Sequence, residues 1–214
     1  MIKACIFDLD GVIVDTAHYH FLAWQRLARE LGYTLTLADN ERLKGVSRME
    51  SLEIILQLAG KSYTAAEKEA MANRKNEWFV GYIEELKPAE IFPGVKDLIT
   101  ALRGRGVKIA LASSSKNARR VVELLNIEAL FDALVDGTMI VHTKPDPEIF
   151  VLAAKKLGVA PAHCIVVEDA EAGVEAAIRA GMKCVGVGKA EQLRNANRLV
   201  NQTADFQLAW LNGI

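Results

Sequence analysis

Asp8 and Asp10, two carboxylates spaced two apart, follow the short apolar run Lys3-Ala4-Cys5-Ile6-Phe7 and precede Gly11. Side chains alternate along an extended chain, so this spacing predicts that both acids face one side and can share a cation or a reacting group. Gly11 lets the backbone turn there or approach a ligand closely. An Asp-Gly pair alone also serves as an ordinary turn, so the other chemistry-bearing residues matter. Ser113 follows the apolar stretch Val107–Leu111, and Glu168-Asp169 follow Cys164–Val167. Lys144 sits in Thr143-Lys144-Pro145-Asp146-Pro147, a loop stiffened by two prolines. Hard oxygen ligands suit Mg²⁺ and its bridge to a phosphate. A carboxylate can attack phosphorus, a second can carry the proton, and a lysine and a hydroxyl can neutralise the transferring oxygens. The set therefore predicts phosphoryl transfer. His18, His20, His142 and His163 share no ligand spacing with the thiols, which argues against zinc.

Those residues need elements that deliver them to one place. The run into Asp8 reads as a buried strand. Phe21, Trp24, Ala28 and Leu31 then recur at helical spacing up to Gly32, and helical signals continue over 50–59 and from Thr64 to about Leu86 with no strand between. From Pro88 the pattern becomes alternating: a helix from Pro93-Gly94 to Arg103, strand 107–111, helix 116–125, strand 133–135, helix 147–157, strand 164–167, helix 172–180, strand 184–187. Alternation of this kind predicts an α/β fold, a parallel sheet with helices on both faces. The carboxyl ends of parallel strands share one rim, so the acids, Ser113 and Lys144 should converge on one crevice. The expected organisation is a core of residues 1–14 and 89–214 with a helical domain, 15–88, inserted after the first strand. The two linkers between them would form a hinge.

Composition bounds the rest. Hydrophobic residues make up 51% and charged residues 25% of the 214, as in globular proteins. A net charge of −1 gives no general attraction to nucleic acid or anionic membrane, so any anion site must be a local cluster of cations. No apolar run reaches the roughly 20 residues of a membrane span, and Asp8 and Asp10 interrupt any signal-peptide core. The expectation is a cytoplasmic monomer without nucleic-acid or membrane partners. Cys5, Cys164 and Cys184 lie in strand-like stretches without CxxC spacing and are expected to be buried free thiols.

Asp8-x-Asp10-Gly11, Ser113, Lys144-Pro145 and Glu168-Asp169, in that order, resemble the four motifs of the haloacid dehalogenase superfamily across essentially the whole chain. The resemblance implies a Rossmann-like, doubly wound parallel sheet with an inserted helical cap. It also implies Asp8 as nucleophile, Asp10 as general acid and base, and Ser113 and Lys144 on the transferring phosphoryl group. Mg²⁺ would be held by Asp8, the Asp10 carbonyl and Asp169, with Glu168 close behind.

Within that superfamily, Thr16-Ala17-His18-Tyr19-His20 with Trp24, Leu43-Lys44-Gly45-Val46-Ser47-Arg48, Arg74-Lys75-Asn76 and Ser115-Lys116-Asn117 resemble the β-phosphoglucomutase family. That likeness implies interconversion of β-glucose 1-phosphate and glucose 6-phosphate through a bisphosphate, with Thr16, His20, Trp24, Lys44, Gly45, Val46, Ser47, Arg48, Lys75, Ser115, Lys116 and Asn117 on the substrate. A mutase must hold a second, non-reacting phosphate, which a phosphatase need not. Arg48 with Lys116 and Asn117 could supply that site, since arginine suits bidentate phosphate recognition. His20 and Trp24, one helical turn apart, fit either the cap interior or a ligand contact. The competing reading is a Mg²⁺-dependent hexose-phosphate phosphatase using the same Asp8 chemistry.

Overall fold

The computed structural model describes residues 1–213. Its sheet has six strands, all parallel: β1 (Ala4–Phe7), β2 (Lys108–Ala112), β3 (Ala133–Val135), β4 (Cys164–Glu168), β5 (Lys183–Val187) and β6 (Arg198–Val200), in the order β3-β2-β1-β4-β5-β6. β1 is apolar and buried at every position because it lies in the middle of the sheet. Phe7 stands opposite Leu111 on one neighbour and Val167 on the other, so three chain segments leave the sheet at one edge.

Alternation sends Cys5, Phe7, Ile109, Leu111, Ile165 and Val167 to one face, where α5 (Val95–Arg103) and α6 (Ala118–Leu124) cover them. Ala4, Ile6, Ala110, Ala112, Cys164 and Val166 point to the other, under α7 (Glu148–Leu157) and α8 (Glu171–Arg179). This is the doubly wound arrangement.

Between β1 and α5 lie α1 (Ala17–Glu30), α2 (Leu37–Glu41), α3 (Arg48–Leu58) and α4 (Ala65–Ile83). They enclose an apolar cluster of their own, centred on Trp24, Leu27, Leu35, Leu52 and Ile55, and form the helical cap. Capping boxes start α3 and α4: Ser47 with Glu50, and Thr64 with Glu67, each satisfying otherwise orphaned N–H groups. The connections joining cap and sheet run side by side, with Val14 bridged to Ile91 and the Phe92 N–H donating to Ile13 O at 2.9 Å.

Several boundaries differ from the sequence reading. The fourth helix ends at Ile83 rather than near Leu86, and α6 starts at Ala118 rather than Lys116. α2 and β6 are additional; α2 buries no residue and β6 buries one of three, so neither has an apolar period to reveal it. The three cysteines are free and buried in strands, as expected.

Candidate active site

Lys144 is fully buried and ties two strand ends together: its Nζ donates to Asp8 Oδ1 at 2.5 Å and to Glu168 Oε2 at 2.8 Å. Glu168 is held from its other side, Oε1 accepting from the Ala170 N–H at 3.1 Å. Burial opposes the lysine's charge, but the two carboxylates outweigh it and raise its pKa above the ordinary value. Two glycines make room for the acids. A Cβ on Gly173 would stand 2.1 Å from Glu168 Cδ, and one on Gly11, whose φ is +77°, would stand 2.2 Å from Asp169 Oδ2.

Asp8, Glu168 and Asp169 each bring a carboxylate oxygen within 4.8 Å of the others. Burial, and then the neighbouring Asp8 charge, push Glu168 up to about 8 and Asp169 to about 7. An all-oxygen, mutually repelling set of this kind fits a hard divalent cation such as Mg²⁺, which would relieve the repulsion. The Asp10 carboxylate is not part of this group, which corrects the expectation that Asp8 and Asp10 share a cation through their side chains. β1 ends at Phe7, the chain bends at Leu9, and Asp10 bridges to Val14, so strand alternation does not extend to it. Its Oδ1 is buried without a hydrogen-bond partner among the described residues. Burial, then the Asp8 charge, raise Asp10 to about 8, which favours the protonated form of this carboxyl.

Above this centre the cap closes on the sheet edge around a cavity of about 940 Å³. Asp8, Asp10, Ser113 and Asp169 line it from below; His20, Trp24, Lys44, Gly45, Val46, Ser47, Arg48 and Lys75 line it from the cap, and Ser115, Lys116 and Asn117 from the loop before α6. Ser113 is buried, and its Oγ accepts from the Ser115 N–H at 3.2 Å. Contacts that seat the cap around the cavity include Ser114 Oγ donating to Gly45 O at 3.0 Å, Thr143 Oγ1 donating to Glu50 Oε2 at 2.5 Å, and Lys44 Nζ lying 3.7 Å from Asp169 Oδ2.

A second group of cations shares the cavity wall. Arg48 Nη2 donates to Asn76 Oδ1 at 2.8 Å, and Asn117 Nδ2 donates to the same oxygen at 2.7 Å. Lys75 is 2% exposed, its Nζ 2.7 Å from His20 Nδ1 and 4.4 Å from the Trp24 ring centre, while His20 stacks on Phe79. Burial is the main cause that lowers the pKa of both Lys75 and His20. Among the described residues Arg48, Lys75 and Lys116 form no ion pair with a carboxylate, unlike Lys144 and Lys44.

Thr16, expected on the substrate, is the residue that precedes α1. It is 1% exposed at the start of α1, it does not line the cavity, and its Oγ1 has no partner among the described residues. Asn117 is the residue preceding α6, and its own N–H goes to Ser115 Oγ at 3.2 Å. The Ser47 hydroxyl likewise serves as the α3 cap, accepting from the Glu50 N–H. Sequence reasoning assigned no role to Asn76, Glu50 or Thr143, whose contacts are long-range and leave no local signal. His142, Asp146 and Glu148 form a further oxygen and nitrogen group, although Glu148 already accepts the N–H groups of Val141 and His142.

Residues 2–181 match the haloacid dehalogenase-like hydrolase family. The chain is 47% identical to a protein of Bacillus subtilis named β-phosphoglucomutase, over 98% of this chain and 94% of the relative. It is 34% identical to a phosphorylated carbohydrates phosphatase of Thermotoga maritima, over 85% of this chain and 82% of that protein. Its structure is similar to that of β-phosphoglucomutase from Clostridium difficile, with a TM-score of 0.94 and 44% identity, covering 99% of this chain and 96% of that one.

Proposed function

The chain belongs to the haloacid dehalogenase-like hydrolase family, and from that premise we propose that it is a β-phosphoglucomutase. It interconverts β-D-glucose 1-phosphate and D-glucose 6-phosphate through an aspartyl-phosphate and β-glucose 1,6-bisphosphate. The observation that carries the choice is the second cation group. Lys144 is committed to Asp8 and Glu168, whereas Arg48, Lys75 and Lys116 face the same cavity with no carboxylate partner. A hydrolase needs one phosphate site; a bisphosphate intermediate needs two, and the unpaired, half-buried Arg48 guanidinium with Lys116 on the same cavity wall favours an anion there.

In this reading Asp8 attacks phosphorus with its oxygen not held by Lys144, forming the Asp8 O–P bond as the phosphorus–sugar oxygen bond breaks. The phosphorus attacked is the C1 phosphate of the bisphosphate, and Asp10 gives its proton to the departing C1 oxygen. In the other half of the cycle Asp10 takes the proton of the 6-hydroxyl of bound β-glucose 1-phosphate as that oxygen attacks phospho-Asp8 and the Asp8 O–P bond breaks. The bisphosphate so formed turns to present its other phosphate. Ser113 and Lys144 stabilise the phosphoryl oxygens, and Arg48, Lys116 and Asn117 hold the other phosphate. Lys44, Gly45, Val46 and Ser47 shape the wall around the sugar, and His20, Lys75 and Trp24 bring the cap side of that wall to Asp10. Asp8, Glu168, Asp169 and the Asp10 carbonyl would hold Mg²⁺, which when bound supplies charge neutralisation to the phosphoryl oxygens. Cap 15–88 serves as specificity element on core 1–14 and 89–214. No described helix is long and apolar enough to cross a membrane, and we assign the protein as a cytoplasmic monomer without a nucleic-acid partner.

A phosphorus NMR time course tests the reading. With Mg²⁺, β-glucose 1-phosphate and a trace of bisphosphate, glucose 6-phosphate should accumulate with total sugar phosphate conserved. Release of inorganic phosphate alone would overturn it in favour of the phosphatase.

A further inference from the structure

We propose that Asn76 is a positioning residue that aims the Arg48 guanidinium at the second phosphate and makes that aim depend on the cap meeting the core. The inference rests on the two-phosphate reading above. One atom carries it: Asn76 Oδ1 accepts from Arg48 Nη2 in α3 at 2.8 Å and from Asn117 Nδ2 in the core at 2.7 Å. A carbonyl oxygen has two lone pairs, so these donors saturate it. Asn117 thereby fixes from the core side the same amide that holds Arg48 within the cap, so contact between cap and core locks the orientation of the guanidinium.

The choice of an amide has an electrostatic reason. A carboxylate at position 76 would accept the same two hydrogen bonds, but it would also neutralise Arg48 and place a negative charge beside an anion site. The amide orients the cation and leaves its charge free. Asparagine is a poor helix former, yet it stands inside the 19-residue α4, beside the buried Lys75. Helix stability therefore does not account for its presence.

The test uses the full-length Mg²⁺-supplied enzyme with Asn76→Asp and Asn76→Ala. Three readouts are needed: KM and kcat for β-glucose 1-phosphate, the rate of Asp8 phosphorylation by acetyl phosphate, and glucose 6-phosphate affinity in an Asp8→Asn background. Acetyl phosphate carries only the reacting phosphate and so does not require Arg48. Asn76→Asp should raise KM and weaken glucose 6-phosphate binding by about tenfold or more, the scale of a hydrogen bond to a charged group. Acetyl phosphate reactivity should stay within about twofold, and Asn76→Ala should lose roughly threefold, less than the isosteric aspartate. A simple structural role predicts the reverse order, because alanine leaves the larger hole. Wild-type behaviour in Asn76→Asp, alanine worse than aspartate, or parallel loss of acetyl phosphate reactivity would each overturn the proposal. If Asn76→Asp does not fold, a double-mutant cycle of Asn76→Ala with Asn117→Ala decides it, since additivity removes the shared node. If the wild type converts no sugar phosphate, the mutase reading falls, and the ranking of glucose 6-phosphate affinities still judges Asn76.

Discussion

Lys144→Met removes the charge at the buried centre while leaving an unbranched apolar stem in its place. The lysine contacts two carboxylates at 2.5 and 2.8 Å. At an effective dielectric of about 20, each such contact is a gross attraction of roughly 6 kcal/mol, most of which offsets the desolvation of the three groups. Deleting the cation leaves Asp8 and Glu168 facing each other without a counter-charge, with only Lys44 remaining beside Asp169, a loss of about 3–5 kcal/mol. At roughly 2–4 °C per kcal/mol for a chain of this size, the thermal midpoint should fall by about 6–20 °C. Scanning calorimetry of the metal-free protein measures it directly. Adding Glu168→Gln in the same chain removes one of the repelling charges and should recover part of the midpoint, while sugar-phosphate turnover stays lost. An unchanged or higher midpoint in Lys144→Met would refute the view that this lysine holds the acidic centre together.

Asp8→Asn should abolish both turnover and the hydroxylamine-labile phosphoenzyme, with glucose 6-phosphate binding retained by titration calorimetry; loss of binding in a folded protein would count against a nucleophilic role. Arg48→Ala should raise KM for sugar phosphates by about tenfold or more and leave phosphorylation of Asp8 by acetyl phosphate intact, a split that steady-state and single-turnover kinetics resolve. Gly173→Ala should destabilise by about 1–3 kcal/mol, since the added methyl would stand 2.1 Å from Glu168 Cδ and drive that carboxylate off Lys144; urea denaturation reports it, and a neutral result would mean that α8 can move aside.

Local patterns were legible without coordinates. A buried central strand has to be almost wholly apolar, so the runs 3–7, 107–111 and 164–167 were readable as strands, and the rim they share follows from their being parallel. The order of Asp8-x-Asp10, Ser113, Lys144 and Glu168-Asp169 was likewise enough to suggest phosphoryl transfer. Tertiary structure decided what no period encodes. Lys144 meets Asp8 and Glu168 across 136 and 24 residues, and Asn76 joins Arg48 to Asn117 across 28 and 41. The Asp10 carboxylate stands apart from the Asp8, Glu168 and Asp169 cluster, and Thr16 does not line the cavity, because a bend and a helix start redirect the chain just past β1. Hydrophobic periodicity reports which face of an element is buried; it carries no information on which polar side chains from distant elements will meet, because those meetings depend on how cap and sheet pack against each other.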